Sequence, residues 1–329
     1  MQMTTIYLIR HAEAEGNLCR RIHGQYDTNV TTKGRRQLLA LRDRFADIPV
    51  DACYASDLTR TKTTAQAIWI PKGLELHPDP AFREIGLGVW EDLPFGYLNT
   101  FQPEAIQCFN QDPRNWHVEG SETFTQYTDR FLAGLERIVR THPDQTVAVV
   151  SHAAVMRGLL IRLFPELRIG RCDNTAVTRL EYDRDGFRVL YCMDNSHLSP
   201  ELSSLRRPSI RQQDGAQGSD TLWFLEEAAG CFTALEAQRP VGTVRLSEED
   251  ASTGRIDELS LIPSYRGFGL GVQLLGQAIF TMRPRGKRWL RIYIPTECTA
   301  LERLCAKLAF APDGTGDWVL DLTVGVRPM

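Results

Sequence analysis

Apolar residues in the first half of the chain alternate between short runs typical of strands and longer runs with helical spacing. Residues 4–9 and 146–151 are rich in apolar and β-branched side chains and have the length of buried strands. Residues 32–45 and 155–163 carry apolar side chains at the spacing of a helix that is buried on one face. This alternation predicts an α/β domain with a mainly parallel sheet and helices on both of its faces.

The pattern changes at residue 197. Residues 197–220 are rich in Ser, Pro, Gly, Gln and Arg and show little apolar periodicity, which predicts a linker. The chain has 329 residues, more than a typical single domain. We therefore expect a first domain over residues 1–196 and a second over residues 221–329.

The second half of the chain has shorter strand-like runs. Residues 231–236 and 241–246 are close enough in sequence to predict a hairpin. A longer strand is predicted over residues 256–262, followed by a glycine-rich turn and a helix over residues 271–282. These elements predict a separate, smaller α/β unit.

Charge and composition exclude several classes of protein. The 38 Lys and Arg residues against 41 Asp and Glu give a net charge of −3, so no global basic field favours nucleic acid or an anionic membrane. We find neither an apolar run long enough to cross a bilayer nor the features of a signal peptide, and we expect a cytoplasmic protein. The eight cysteines contain no C-x-x-C pair, so neither a metal site nor a disulfide framework is predicted.

Two histidines follow predicted strands of the first domain. Arg10 and His11 come at the end of the first strand, and His152 comes at the end of the strand over residues 146–151. Open α/β sheets bind ligands at the carboxyl ends of their strands, so both histidines are predicted to share one site. A neutral imidazole can attack phosphorus, and the guanidinium groups of Arg10 and Arg60 offer paired donors for phosphate oxygens.

Four segments in order resemble the signatures of the histidine phosphatase superfamily, also called phosphoglycerate mutase-like. They are RHAEAEGN at 10–17, SDLTRTKTTA at 56–65, FREIGLGVWE at 82–91 and VVSHAAV at 149–155. The resemblance covers roughly residues 1–195. It implies a three-layer phosphoglycerate mutase-like domain with a mainly parallel sheet.

The resemblance also implies roles for individual residues. His11 would be the phosphorylated nucleophile, and Glu84 would be the general acid that protonates the leaving oxygen and then deprotonates the attacking water. The phosphate pocket would be formed by Arg10, Arg60 and His152. Asn17 and Gln25 are expected at the edge of the pocket. No metal or other cofactor is expected for this reaction.

The segment after Glu91 bears on which reaction of the superfamily is expected. It is compact and lacks the longer basic and tyrosine-rich insertion of the cofactor-dependent mutases. This favours hydrolysis of a small phosphorylated metabolite, with a phosphoglycerate-type mutase as the alternative.

A second constellation lies in the C-terminal half of the chain. Residues 258–271 read as a strand, a turn with glycines at alternate positions, and the start of a helix, an arrangement that exposes backbone N–H groups to anions. The segment resembles the acyl-CoA pyrophosphate loop of the GNAT N-acetyltransferase superfamily. The resemblance implies that Leu261 and Ile262 align the pantetheine of acetyl-CoA or another acyl-CoA. The pyrophosphate would be held by Arg266, Gly267, Phe268, Gly269, Leu270 and Gly271.

Two departures from the GNAT pattern favour a truncated domain without turnover. The tyrosine that protonates the departing thiolate in many GNAT enzymes would fall at Leu304 or Cys305, and we interpret the Cys305 thiol as a packing group. A single short strand over residues 222–225 is predicted before residue 231. The helices that shape the acceptor pocket in GNAT enzymes are therefore not expected here. Three alternatives remain open. The domain could bind acyl-CoA and so regulate the first domain, or it could have a structural role or form a homodimer contact. The third alternative is a working bifunctional phosphatase and N-acetyltransferase.

Overall fold

The computed structural model describes residues 3–205 and 219–328, and these form two sheets with their helices. Most of the predicted linker, residues 206–218, lies outside the described residues. Among the described residues, no helix is both long enough and apolar enough to cross a membrane.

The first sheet has six strands in the order β3-β2-β4-β1-β5-β6. In chain order the strands are β1 (Thr4–Arg10), β2 (Ala52–Ala55), β3 (Leu76–Pro78), β4 (Thr146–Ser151), β5 (Val177–Asp183) and β6 (Gly186–Asp194). The first four run parallel to one another, and the last two are antiparallel to their neighbours. The prediction of a mainly parallel sheet is therefore confirmed.

Helices cover both faces of this sheet. They are α1 (Glu15–Cys19), α2 (Thr32–Arg44), α3 (Thr59–Lys72), α4 (Phe95–Phe101), α5 (Pro103–Gln111), α6 (Phe124–Thr141) and α7 (Ala153–Leu163). Successive side chains of a strand point to opposite faces, so Ile6 and Leu8 of β1 join one apolar core while Tyr7 and Ile9 join the other. The domain therefore has the predicted three layers.

The second sheet has seven strands in the order β12-β13-β11-β10-β9-β8-β7. These are β7 (Trp223–Ala228), β8 (Cys231–Glu236), β9 (Arg239–Glu248), β10 (Thr253–Leu261), β11 (Trp289–Tyr293), β12 (Ala311–Pro312) and β13 (Asp317–Asp321). Two helices accompany them, α8 (Gly271–Met282) and α9 (Thr299–Ala306). Strands β10 and β11 are parallel but pair only from Thr253 to Ile256 of β10, so the rest of β10 separates from β11.

The described part of the second domain begins at residue 219 with two paired strands. Strands β7 and β8 pair as an antiparallel hairpin around Gly230, whose φ of 76° lies in the left-handed region that suits glycine. No helix lies between these two strands, which agrees with the shortened GNAT-like domain expected from the sequence.

The two domains meet along helices α1 and α8. The side chain of Cys19 on α1 packs against Gly276 on α8, where an added Cβ would lie 2.6 Å from the Cβ of Cys19. Beside this contact, the Arg283 guanidinium forms an ion pair of 3.0 Å with the Glu15 carboxylate. Helix α1 therefore connects the strand edge of the first domain to the core of the second.

Candidate active site

The parallel pairing of β1 and β4 brings the two predicted histidines together. Arg10 at the end of β1 is in register with Ser151 at the end of β4, so His11 and His152 follow at the same edge of the sheet. Their ring centroids lie 5.2 Å apart. His152 also immediately precedes α7, which fixes the direction in which its side chain leaves the strand.

His11 is buried and its environment favours a neutral ring. Its Nδ1 lies 2.7 Å from the carbonyl oxygen of Ala12, and a carbonyl only accepts, so Nδ1 carries the proton and Nε2 keeps a lone pair. Burial lowers the pKa of His11 well below its ordinary value, and the positive charges of Arg60 and Arg10 lower it further. The ring can therefore act as a nucleophile through Nε2.

Arg60 comes from the first turn of α3 and is 1% exposed. It donates to the carbonyl oxygens of Gly24 at 2.6 Å and Tyr26 at 2.9 Å, which fixes the backbone at one wall of the site. Its Nε donates to Nδ1 of His152 at 3.3 Å. Because Nδ1 accepts this bond, the proton of neutral His152 is on Nε2. Burial and the charge of Arg60 lower the pKa of His152 well below its ordinary value.

Two buried donors at this edge have no partner among the described residues. They are Nε of Arg10 and Nε2 of His152. Arg10 is held in place by a 2.6 Å bond from Nη1 to the carbonyl oxygen of Cys172. A buried donor without an acceptor costs about 1–3 kcal/mol, so both groups are suited to binding an anion.

Glu84 follows the 3₁₀ turn Pro80–Phe82 and points at the start of α7. Its carboxylate accepts from the backbone amides of Ala154 at 3.1 Å and Val155 at 2.7 Å, and from that of Ile85 at 3.0 Å. Burial raises the pKa of Glu84 above its ordinary value, although the three amides offset part of the rise. Glu84 can therefore hold a proton closer to neutral pH than an exposed glutamate does.

Two cavities that share part of their walls lie at this edge. The inner cavity has a volume of about 130 Å³, and its wall includes His11, Arg60 and Glu84. The outer cavity has a volume of about 750 Å³ and includes Arg10 in its wall. The residues that line both are Asn17, Phe95, Phe109, Ala153 and Ala154.

The two residues predicted for the pocket edge have different positions. Asn17 lies between the cavities and accepts a hydrogen bond of 3.3 Å from the Asn174 side chain. Gln25 lines neither of them. It lies behind Glu84 and donates to that residue's carbonyl oxygen at 3.3 Å. His152 is fully buried beside the inner cavity.

Sequence reasoning missed several residues around the site. His23, to which the sequence analysis assigns no role, lines the inner cavity and packs against Phe280 of the second domain at 5.3 Å between ring centroids. Tyr127 of α6 and Arg157 of α7 line the outer cavity. His23 stands two residues before Gln25, which was expected at the pocket edge, and this closeness was an available signal, whereas nothing in the local pattern distinguished the other two.

The glycine-rich turn of the second domain borders a separate cavity of about 660 Å³. Gly267, Phe268 and Gly269 line it, and the two glycines have φ values of 84° and 79°, which favour glycine. Five basic residues from both domains also line it: Arg20, Lys33, Arg36, Arg303 and Lys307. Four other predicted contacts lie outside this cavity wall: Leu261, Ile262, Leu270 and Gly271.

Arg266 and Cys305 of this domain are both held by contacts within the protein. Arg266 also lies outside the cavity wall, and its Nε donates to the carbonyl oxygen of Leu261 at 2.9 Å. Cys305 is fully buried in the apolar core, and burial raises the pKa of its thiol to about 12. A protonated core thiol agrees with the packing role expected for Cys305. In residues 3–205 and 219–328 we find no group of three His, Cys, Asp or Glu residues placed to hold a metal.

Comparison with known proteins identifies two families in the chain. The model of the histidine phosphatase superfamily (branch 1) matches residues 6–195, and the model of the acetyltransferase (GNAT) family matches residues 199–309. The first match covers more than half of the chain, which therefore belongs to the histidine phosphatase superfamily and is an enzyme with a second, GNAT-type domain. The GNAT match begins inside the segment predicted as a linker.

Individual relatives agree with this assignment. A metal-independent phosphoserine phosphatase of Arabidopsis thaliana is 30% identical over 205 residues, which are 60% of this chain and 84% of the relative. A probable phosphoglycerate mutase of Salmonella choleraesuis is 28% identical over 216 residues, 62% of this chain and all of the relative. Bacillus stearothermophilus YhfR is similar in structure, with a TM-score of 0.55 and 30% identity over 60% of this chain and all of that protein.

Proposed function

We propose that the first domain hydrolyses a small phosphorylated metabolite through a phosphohistidine at His11. The observation that carries the proposal is a pair of buried donors, on Arg10 and His152, that have no hydrogen-bond partner in the described parts of the chain and lie next to a neutral His11 whose Nε2 keeps a lone pair. A phosphoryl group at this edge would satisfy both donors and face the nucleophile. The Arabidopsis relative is named as a phosphatase, which supports the same reaction.

In the first proposed step, Nε2 of His11 attacks phosphorus and the bond from phosphorus to the leaving oxygen breaks. The carboxylic acid of Glu84 gives its proton to that oxygen, so an alcohol leaves. Arg10 and His152 donate to the phosphoryl oxygens and stabilise their developing charge. The N–H at Nδ1 of His11 stays bonded to the Ala12 carbonyl throughout.

In the second proposed step, water attacks the phosphorus of phosphohistidine. The Glu84 carboxylate takes a proton from that water, and the bond from phosphorus to Nε2 breaks. Inorganic phosphate leaves, and both His11 and Glu84 return to their starting protonation states. Asn17, at the boundary between the cavities, contacts the substrate in this proposal.

Release of phosphate from a panel of phosphorylated metabolites tests the proposal. We expect the full chain to release inorganic phosphate from at least one of them without any bisphosphate primer, and His11→Ala to release none. Normal activity in the His11 variant would refute the assignment. Conversion of a phosphoglycerate to its isomer, dependent on a bisphosphate and without phosphate release, would support the mutase alternative instead.

For the second domain we propose binding of acetyl-CoA or another acyl-CoA. The cavity at Gly267 and Gly269 carries exposed backbone and basic side chains, which suit a pyrophosphate. Ile262 and Tyr293 are 36% and 57% exposed where β10 and β11 separate, which suits the apolar arm of pantetheine. Burial of Cys305 supports a domain that binds acyl-CoA without turnover. The boundaries proposed for the two domains remain residues 1–196 and 221–329.

Calorimetric titration of CoA into the full chain tests this second proposal. We expect Gly269→Val to weaken binding at least tenfold, because valine is strained at this positive φ and adds bulk at a residue that lines the cavity. Gly286→Val is a matched control, since Gly286 also has a positive φ and open space around it but lies outside the cavity wall. Absence of heat with the wild type at millimolar CoA contradicts the proposal.

A further inference from the structure

The outer cavity next to His11 is much larger than a phosphoryl group requires. Its volume of about 750 Å³ lies in the range of pockets that hold small organic ligands. Phe95 and Phe109 line both this cavity and the inner one, so a molecule whose phosphoryl group lay at His11 would extend past them. With the phosphoryl group at His11, the rest of the wall would contact the leaving group of the substrate.

The wall of this cavity has a surplus of positive charge. Arg157 on α7 and Arg171 in the loop before β5 line it, and neither forms an ion pair with any described residue. Arg20 also lines it, but its guanidinium is paired with Asp220 at 2.7 Å. Asp220 is the one acidic residue in the wall that the structure describes, so Arg157 and Arg171 are not neutralised.

A buried hydroxyl lies beside Arg157. Tyr127 on α6 is 1% exposed, and its hydroxyl has no hydrogen-bond partner in the part of the chain that the structure describes. The hydroxyl packs against Gly158, the neighbour of Arg157, where an added Cβ would lie 2.5 Å from it. Burial raises the pKa of Tyr127, so the hydroxyl keeps its proton and can donate a hydrogen bond to an acceptor.

We propose that the substrate carries a carboxylate on its leaving group, bound by the Arg157 guanidinium with the Tyr127 hydroxyl as a further donor. The planar guanidinium offers two parallel N–H groups that match the two oxygens of a carboxylate. One guanidinium beside one neutral hydroxyl balances the single charge of a carboxylate. Arg157 is preferred to Arg171 for this role because Arg171 is exposed to solvent. The inference rests on the proposed phosphatase function of the first domain.

Matched pairs of substrates test the inference. O-phosphoserine differs from O-phosphoethanolamine by its carboxylate, and 3-phosphoglycerate differs from glycerol 3-phosphate by a carboxylate in place of a hydroxymethyl group. We expect the full chain to prefer the carboxylate member of a pair by about 10- to 100-fold in kcat/KM, as for one charge-assisted contact. Arg157→Met should reduce this ratio to about one. Arg157→Lys should retain part of it, and Tyr127→Phe should lower it through KM.

Arg162→Met is the control on the same helix. Arg162 pairs with Asp129 at 2.5 Å and does not line the cavity, so this variant should keep the wild-type preference. The inference is overturned if the wild type hydrolyses both members of a pair equally well, or if Arg157→Met keeps the preference for the carboxylate member. Either result leaves the phosphatase proposal intact. No phosphate release from any substrate would overturn the phosphatase proposal itself and this inference with it.

Discussion

At the scale of single residues, the protonation states of three buried groups determine the chemistry open to the site. Burial disfavours the charged form of any group, so it lowers the pKa of His11 and His152 and raises that of Glu84. The arginines act in the same direction on the histidines, because a second positive charge beside them is unfavourable. Burial therefore favours a neutral nucleophile at His11 and a Glu84 carboxyl that keeps its proton to a higher pH than an exposed glutamate does.

These shifts predict the dependence of activity on pH. Activity should fall at acid pH as His11 gains a proton, at a pH below the ordinary range of histidine. It should fall at higher pH as Glu84 loses its proton, at a pH above the ordinary range of glutamate. Glu84→Gln should slow turnover by about 100-fold or more and remove the fall at higher pH, because glutamine has no proton to lose. The measurement is kcat/KM against pH.

Glu119→Gln, at an exposed position in a neighbouring turn, is the control for this profile. It should keep both the rate and the shape of the wild-type curve. An unchanged fall at higher pH in Glu84→Gln would mean that another group supplies the proton.

At the scale of elements, helix α8 of the second domain supports a wall of the site in the first. Phe280 of α8 packs against His23 at 5.3 Å and Tyr26 at 6.0 Å between ring centroids, and the Arg21 guanidinium lies 4.8 Å from its ring. Arg60 holds the backbone of the same segment from the other side. The wall over residues 21–26 is therefore fixed between α3 and α8.

Replacement of Phe280 should affect both stability and catalysis. Phe280→Leu removes part of the ring contact with His23 and should destabilise the protein by about 0.5–3 kcal/mol. It should also raise the KM for the phosphorylated substrate. Phe232→Leu is the matched control, because Phe232 is buried to the same extent in the same core but on β8. It should lose similar stability and keep the wild-type KM. Equal KM changes in both variants would contradict a specific role of α8.

The elements also show what the sequence could and could not predict. Helix α8 has the predicted bounds, and His11 and His152 converge as expected, because periodicity and the ends of parallel strands are properties of local sequence. Tyr127 and Arg157 meet only through the packing of α6 on α7, which no local pattern encodes. The side chain of Arg266 was expected at an anion, and in the structure its Nε donates to the carbonyl of Leu261 at the end of β10, a contact that the local pattern did not indicate.

At the scale of the whole molecule, the two candidate ligand sites are neighbours. Arg20, Ser204 and Asp220 line both the outer cavity of the first domain and the cavity at the glycine-rich turn of the second. Asp220 precedes β7, and its ion pair with Arg20 joins the domains across this shared wall. The ion pair of Glu15 with Arg283 and the bond from Thr32 Oγ1 to the Ala306 carbonyl at 2.7 Å join them elsewhere.

The central claim is that His11 carries the phosphoryl group during turnover, and trapping that intermediate tests it most directly. The full chain would be mixed with a substrate that it hydrolyses and quenched rapidly in alkaline denaturant. The protein would then be digested and the masses of its peptides measured by mass spectrometry. One phosphoryl group is expected on the peptide that contains His11, it should be lost in acid, and none is expected in His11→Ala. A phosphoryl group on another residue, or its persistence in the His11 variant, would contradict the account.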